Sequence, residues 1–269
     1  MSEPRIEASL LQLEILESTA LENLKNISHI VKTTRDHLGV SIALDDFGTG
    51  YSSLTHLRHL FVDTIKIDQN FVRGMLDDPD DYAIVESVIS LSHTFRRKVV
   101  AEGVESEQQG IVLLLMGCYV LQGYSIAKPM PATEINDWVM NYRLFDQWRF
   151  YANAELTQVQ AMIAIRRIDN QQWLLSIKNC LYPESDTPPN WPIMEEGKSH
   201  LGRWLKQARY NRQYNESWLE QVEYYHQERH QSANIIMRQF NEGQIDAAQL
   251  GFTLLEAITQ QLDELFVQS

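Results

Sequence analysis

The sequence predicts an α/β part made of parallel strands joined by crossover helices, followed by an all-α helical bundle. Three observations predict it. Up to about Tyr142, short β-like runs alternate with amphipathic stretches, which is the pattern of successive βα units. Carboxylates or lysines stand at or near the C-terminal ends of four of those runs: Glu14, Asp45 with Asp46, Lys66 with Asp68, and Glu102. In a βα-barrel the functional groups collect at that end. Beyond Tyr142 the β-like runs stop and long helical stretches replace them, as in a small bundle.

"LLQLEIL" is the first strand. A helix follows from about Ser18, with apolar positions at Leu21, Leu24, Ile27, Ile30 and Val31 and with Gly39 as its stop. "VSIALDD" and "DTIKID" are the second and third strands, and "DPDDYAIVESVISLSHTF" is a helix whose N-terminus is acidic. "KVVAEG" is the fourth strand. "SEQQGIVLLLMG" is a helix capped by Ser106 and ended by Gly117, and "CYVLQGY" and "SIAKPM" are short closing strands. The change of character places a boundary at 142/143, giving domains 1–142 and 143–269. In the second, "FDQWRFYANAELTQVQAMIAIRRI", "WLKQARYNRQYNESWLEQVEYYHQERHQSANIIMRQFNEG" and "QIDAAQLGFTLLEAITQQLDELF" are helical. The proline-rich "YPESDTPPNWP" lies between them as a loop. Trp173, Trp204 and Trp218 are read as bundle core.

The composition is globular: 44% apolar and 22% charged residues over 269, with a formal net charge of −13 and a pI near 5.0. Such a chain has no general attraction for DNA or RNA duplexes or for an anionic membrane. Two distant cysteines, Cys118 and Cys180, argue against a disulfide framework. No membrane-length apolar run or signal peptide stands out, so a cytoplasmic setting is expected.

In "SIALDDFGTGYSSL" an apolar run ends in two adjacent carboxylates. Like charges at that distance repel, so either a cation joins them or they are a solvated pair capping a turn. Four further stretches stand in order with helix-length gaps: "LEILES" before it, then "IKIDQNFV", "VVAEGVES" and "LQGYSIAKPMP". Together the five resemble the EAL-type cyclic-di-GMP phosphodiesterase family, over roughly residues 10 to 142.

The resemblance implies a TIM-like (β/α) barrel that hydrolyses one phosphodiester bond of cyclic di-GMP to give pGpG, with Mg²⁺ or Mn²⁺ at a two-metal site. By the same resemblance Asp45 bridges the metals, Asp46 and Glu14 are metal ligands, and Glu102 is a second-site ligand or general base. Lys66 holds the attacking water or a phosphate oxygen, and Glu17 braces the loop after Asp46. Asp68, Glu105 and Gln122 complete the rim. The tripeptide that names the family and its early asparagine ligand are absent. The expectation is therefore a partial barrel that begins about one third of the way in, with an incomplete site and impaired turnover. The alternative is a non-catalytic cyclic-di-GMP receptor or interaction module. A homodimer and an upstream sensory or diguanylate cyclase domain are the further candidate partners.

The tail resembles the zinc-binding CZB bundle of bacterial signalling proteins. "NQQW" puts Asn170 at the first histidine position and "SHLGRW" puts Ser199 at the cysteine position, while "HQERH" supplies His226 and His230. Two of the four ligand positions are changed. His200, beside the lost cysteine, is the substitute candidate. Zinc is accordingly not expected to bind tightly, and the bundle is expected to be a regulatory one.

Overall fold

The structure is a computed structural model and describes residues 7–22, 24–49, 57, 60–183, 188–212 and 214–267. The chain divides into two compact units, one of Met1–Met75 with Asp80–Ala154 and the other of Leu76–Pro79 with Glu155–Ser269.

The first unit holds a five-stranded parallel sheet: β1 (Gln12–Leu16), β2 (Ser41–Phe47), β3 (Thr64–Ile67), β4 (Lys98–Ala101) and β5 (Val120–Leu121). The spatial order is β1-β2-β3-β4-β5. Strands laid down in chain order without reversal build a barrel wall rather than a doubly wound sheet, in which the order reverses at a switch point. Between them run α1 (Glu17–Glu22), α2 (Leu24–Leu38), α3 (Gln69–Gly74), α4 (Pro79–Thr94) and α5 (Glu107–Leu115). All four residues of β3 are buried, as expected of a central parallel strand covered on both faces. β1 is an edge: Leu11, Leu13 and Leu16 are exposed. In α2 Val31 is buried but Ile30 is 56% exposed. The side chains of Leu21 and Leu24 lie outside the described residues.

"SIAKPM" is not a strand. Its backbone closes on a turn instead: Ser125 N donates to Val104 O, and Ile126 N and Ala127 N both donate to Gly123 O. Pro129 and Pro131 then remove two ladder donors. After α6 (Ile135–Asn141) the first unit continues past Tyr142 through α7 (Asp146–Asn153) to Ala154. α7 belongs with the sheet unit because Trp148 is buried against α5, its Nε1 donating to Glu107 O at 2.8 Å.

The second unit contains α8 (Gln158–Leu181), α9 (His200–Asn211), α10 (Glu216–Asn241) and α11 (Ile245–Val267). Two of the long helical stretches are each broken in two. A capping box, Thr157 with Gln160, starts α8 afresh after α7. Arg212, in the left-handed region at φ +52°, ends α9, and Asn215 caps α10. One apolar cluster joins Ile163, Leu201, Trp204, Leu219, Val222, Leu262 and Phe266, with Trp218 partly buried against it. A second joins Trp173, Ile177, Ala233, Ile236, Phe252 and Leu255. Cys118 and Cys180 are buried and free. Among the described residues no helix is long and apolar enough to cross a membrane.

Candidate active site

Lys66 is the centre of the rim. It leaves the buried β3 and is only 6% exposed. Its Nζ lies 2.9 Å from Glu14 Oε1, 2.9 Å from Asp45 Oδ1 and 2.8 Å from Glu102 Oε1. Three carboxylates from β1, β2 and the end of β4 thus meet one ammonium from β3. Burial alone would lower the lysine pKa, but hydrogen bonds to Glu102, Glu14 and Asp45 outweigh it and hold the pKa above the usual range.

Adjacent residues of a strand point to opposite faces, so Asp45 and Asp46 could not share a site on a regular β2. The register between β2 and β3 shifts between Leu44 and Phe47, and Asp46 takes φ +53°. This irregularity breaks the alternation. Carboxylate oxygens of Asp45, Asp46 and Glu102 then lie within 4.8 Å of one another. Burial raises the Asp46 pKa, and Asp45 and Asp68 raise it further. Burial also raises that of Glu102, against the pull of Lys66. Carboxylates outnumber the single ammonium, and a clustered set of hard oxygen donors with surplus negative charge suits a hard divalent cation. Asp45, Asp46 and Glu102 are the residues that could hold it.

Glu17 is 1% exposed, and its Oε2 accepts from Gly48 N at 2.8 Å. Gly48 has φ +108°, and a Cβ there would lie 2.9 Å from the Phe71 ring, so the turn after Asp46 needs glycine. The rest of that loop, from Gly50 through Leu54, lies outside the described residues. Asp68 caps α3, accepting from Asn70 N at 2.8 Å, and its carboxylate is near enough to Asp46 to raise that group's pKa.

Glu105 and Gln122 stand apart from the Lys66 cluster in their contacts among the described residues. Glu105 is exposed and pairs with Arg73 at 2.8 Å. Gln122 is exposed and enters through its backbone, with its N donating to Ala101 O and its O accepting from Val104 N.

Sequence reasoning missed Gln109. This buried side chain accepts from Glu105 N at 2.8 Å and Ser106 N at 3.0 Å, and donates to Arg73 O at 3.2 Å. It therefore fixes the loop that follows Glu102. The Ser-x-x-Gln spacing of a capping box was the available signal.

Residues 2–129 match the family model described as EAL domain. The bifunctional diguanylate cyclase/cyclic di-GMP phosphodiesterase MucR of Pseudomonas aeruginosa is 43% identical over 130 residues, 48% of this chain and 19% of that protein. The cyclic di-GMP phosphodiesterase PA2567 of the same organism is 39% identical over 134 residues, 50% of this chain and 23% of that protein. The solved structure described as "PaMucR Phosphodiesterase, c-di-GMP complex" is 43% identical, with a TM-score of 0.47, over 48% of this chain and 52% of that one. The chain spans about a fifth of the length of these two curated relatives. Residues 2–129 are an EAL domain, homologous to the cyclic di-GMP phosphodiesterases.

Proposed function

We propose that this chain carries the cation-binding rim of a cyclic di-GMP phosphodiesterase, a hydrolase that opens one phosphodiester bond of the ring to give linear pGpG in bacterial second-messenger signalling. The observation that carries the reading is the convergence of Glu14, Asp45 and Glu102 on Lys66, with Asp46 turned into the same cluster. Asp45, Asp46 and Glu102 would hold Mg²⁺ or Mn²⁺. When bound, such ions supply a water that is nucleophilic at neutral pH and neutralise charge developing on phosphate oxygens.

The protein's own contribution is placement. Lys66 offers a fixed positive charge to a phosphate oxygen or an attacking water, and Glu14 and Glu102 orient its ammonium. Where Glu102 does not ligate the cation, its pKa raised by burial suits it to accept a proton. Glu17 couples the Asp46 turn to α1, and Asp68 adds a further carboxylate beside Asp46. Glu105 and Gln122 are assigned to the outer rim, where they would meet ligand. The helical unit is assigned a CZB-like regulatory role, supported by the burial of Asn170, Ser199, His226 and His230 in one layer of its core.

Exposure of the β1 edge leaves the Glu14 side of the cluster open to water, so we expect impaired turnover from this chain. The same openness favours a second reading, a receptor that binds cyclic di-GMP without cleaving it. The test is chromatography of cyclic di-GMP incubated with the chain and Mn²⁺, alongside calorimetric binding. Expected is trace pGpG formation that needs Mn²⁺ and disappears in Asp45→Ala. Binding without pGpG selects the receptor reading. Neither binding nor cleavage rejects both.

A further inference from the structure

The core of the helical unit is interrupted. Along α8 the apolar cluster at Ile163 gives way to Arg166 and Asn170 before Trp173. Along α10, Val222 is followed by His226, Arg229 and His230 before Ala233, and along α11 Thr259 separates Leu255 from Leu262. These polar side chains, with Ser199 at the start of α9, are all at most 4% exposed. A buried polar layer between two apolar clusters is costly unless its groups are paired or charge is compensated.

The CZB resemblance implies zinc among positions 170, 199, 226 and 230. The side chains present do not fit it: among the described residues His200, His226 and His230 are not brought together as a set of three metal-ligating groups. Asn170 and Ser199 offer neutral oxygens in place of thiolate and imidazole, and both are already engaged. Ser199 Oγ donates to Glu196 O at 2.9 Å, accepts from Gly202 N at 3.1 Å and lies 3.0 Å from His226 Nε2. Asn170 Oδ1 accepts from Arg229 Nη1, and its Nδ2 donates to Thr259 O at 3.2 Å.

Arg229 is 1% exposed and stands 4.6 Å above the Trp173 ring, and the charge of the Asp169 carboxylate acts on it favourably against its burial. Burial lowers its pKa to about 10, which leaves it charged at neutral pH. A divalent ion entering this layer would meet that charge. We infer that the Arg229 guanidinium is the resident cation of the layer and does the cross-linking that a metal would do, so that the helical unit is held without zinc. Through Asn170 it ties α10 to α8 and α11, while His226 reaches the cap of α9 and His230 Nδ1 reaches Met194 O at 3.0 Å. Because that carbonyl requires a proton on Nδ1, His230 Nε2 carries a lone pair, and it has no partner among the described residues. A metal would use this lone pair, which makes metal uptake the decisive measurement.

The full chain, purified from zinc-supplemented medium, is assayed for zinc and for thermal unfolding with added zinc or EDTA. Expected is fewer than about one zinc per ten chains and an unfolding temperature indifferent to both additions. In parallel, Arg229→Met and Asn170→Leu are made singly and together. Each single change strands a buried partner and should lower Tm by roughly 5–10 °C. The double variant, apolar at both places, should regain at least half of the loss. One zinc per chain with a Tm rise that EDTA reverses overturns the inference, as do additive losses in the double variant. The zinc measurement uses the unmodified chain and decides the matter even if a variant does not fold.

Discussion

Asp46 holds a left-handed backbone that a non-glycine residue adopts at a cost of order 1–3 kcal/mol. The cost goes with a local break in the β2 register, and the break is what allows neighbouring aspartates to face one cluster. Replacing Asp46 with glycine removes the backbone strain and one of the crowded carboxylates. Asp46→Gly is expected to raise stability by about 1 kcal/mol while weakening Mn²⁺ binding at least tenfold. Denaturant unfolding and manganese calorimetry would read the two effects separately, and a loss of stability would show that the φ value carries no strain. The carboxylates themselves were legible in the sequence, because an apolar run that ends in charge marks a strand end. The bulge was not, since nothing in "LDDF" distinguishes a regular strand from one that turns its second aspartate. Gln109 was half legible: its capping role follows from spacing, but its bond to Arg73 O depends on where α3 ends.

At the scale of elements, two helices show how a single contact sets position. A Cβ on Gly110 of α5 would lie 2.2 Å from the Trp148 ring. Gly110→Ala must therefore push α7 away or move the indole, and should cost ~1–3 kcal/mol despite the better helix propensity of alanine. An increase in stability would contradict the packing of α7 on α5. In α10, His226 is pushed down to about 2 and His230 to about 3, by burial first and by Arg229 next. The unfolded chain then takes up protons at ordinary histidine values, near about 6.5, that the folded chain refuses. The stability held by keeping both rings neutral is full above that value and is lost as pH falls through it. The helical unit should lose several kcal/mol between about pH 7.5 and pH 5, read as a falling calorimetric transition. A transition flat across that range would mean the rings are not buried as described. Strands and helices with clear periodicity were readable in advance. The helix breaks at Ala154 and Arg212 were not, because a capping box inside an apolar pattern and an arginine in the left-handed region leave the periodicity almost undisturbed.

At the scale of the whole molecule, the β-like runs cease near Tyr142 but the compact units divide after Ala154, so α7 belongs to the first unit although it is helical like the second. Composition cannot assign such an element; only the burial of Trp148 does. The polar layer of the bundle was likewise visible only as substituted positions, and the part played by Arg229 emerged from the packing. The Lys66 arrangement also bears on how the rim holds together. An ammonium tethered to the scaffold acts as a permanent counter-ion, keeping the acids of the rim gathered when no dissolved cation is at hand. A divalent cation entering such a pocket would exchange partners on a standing framework rather than assemble one.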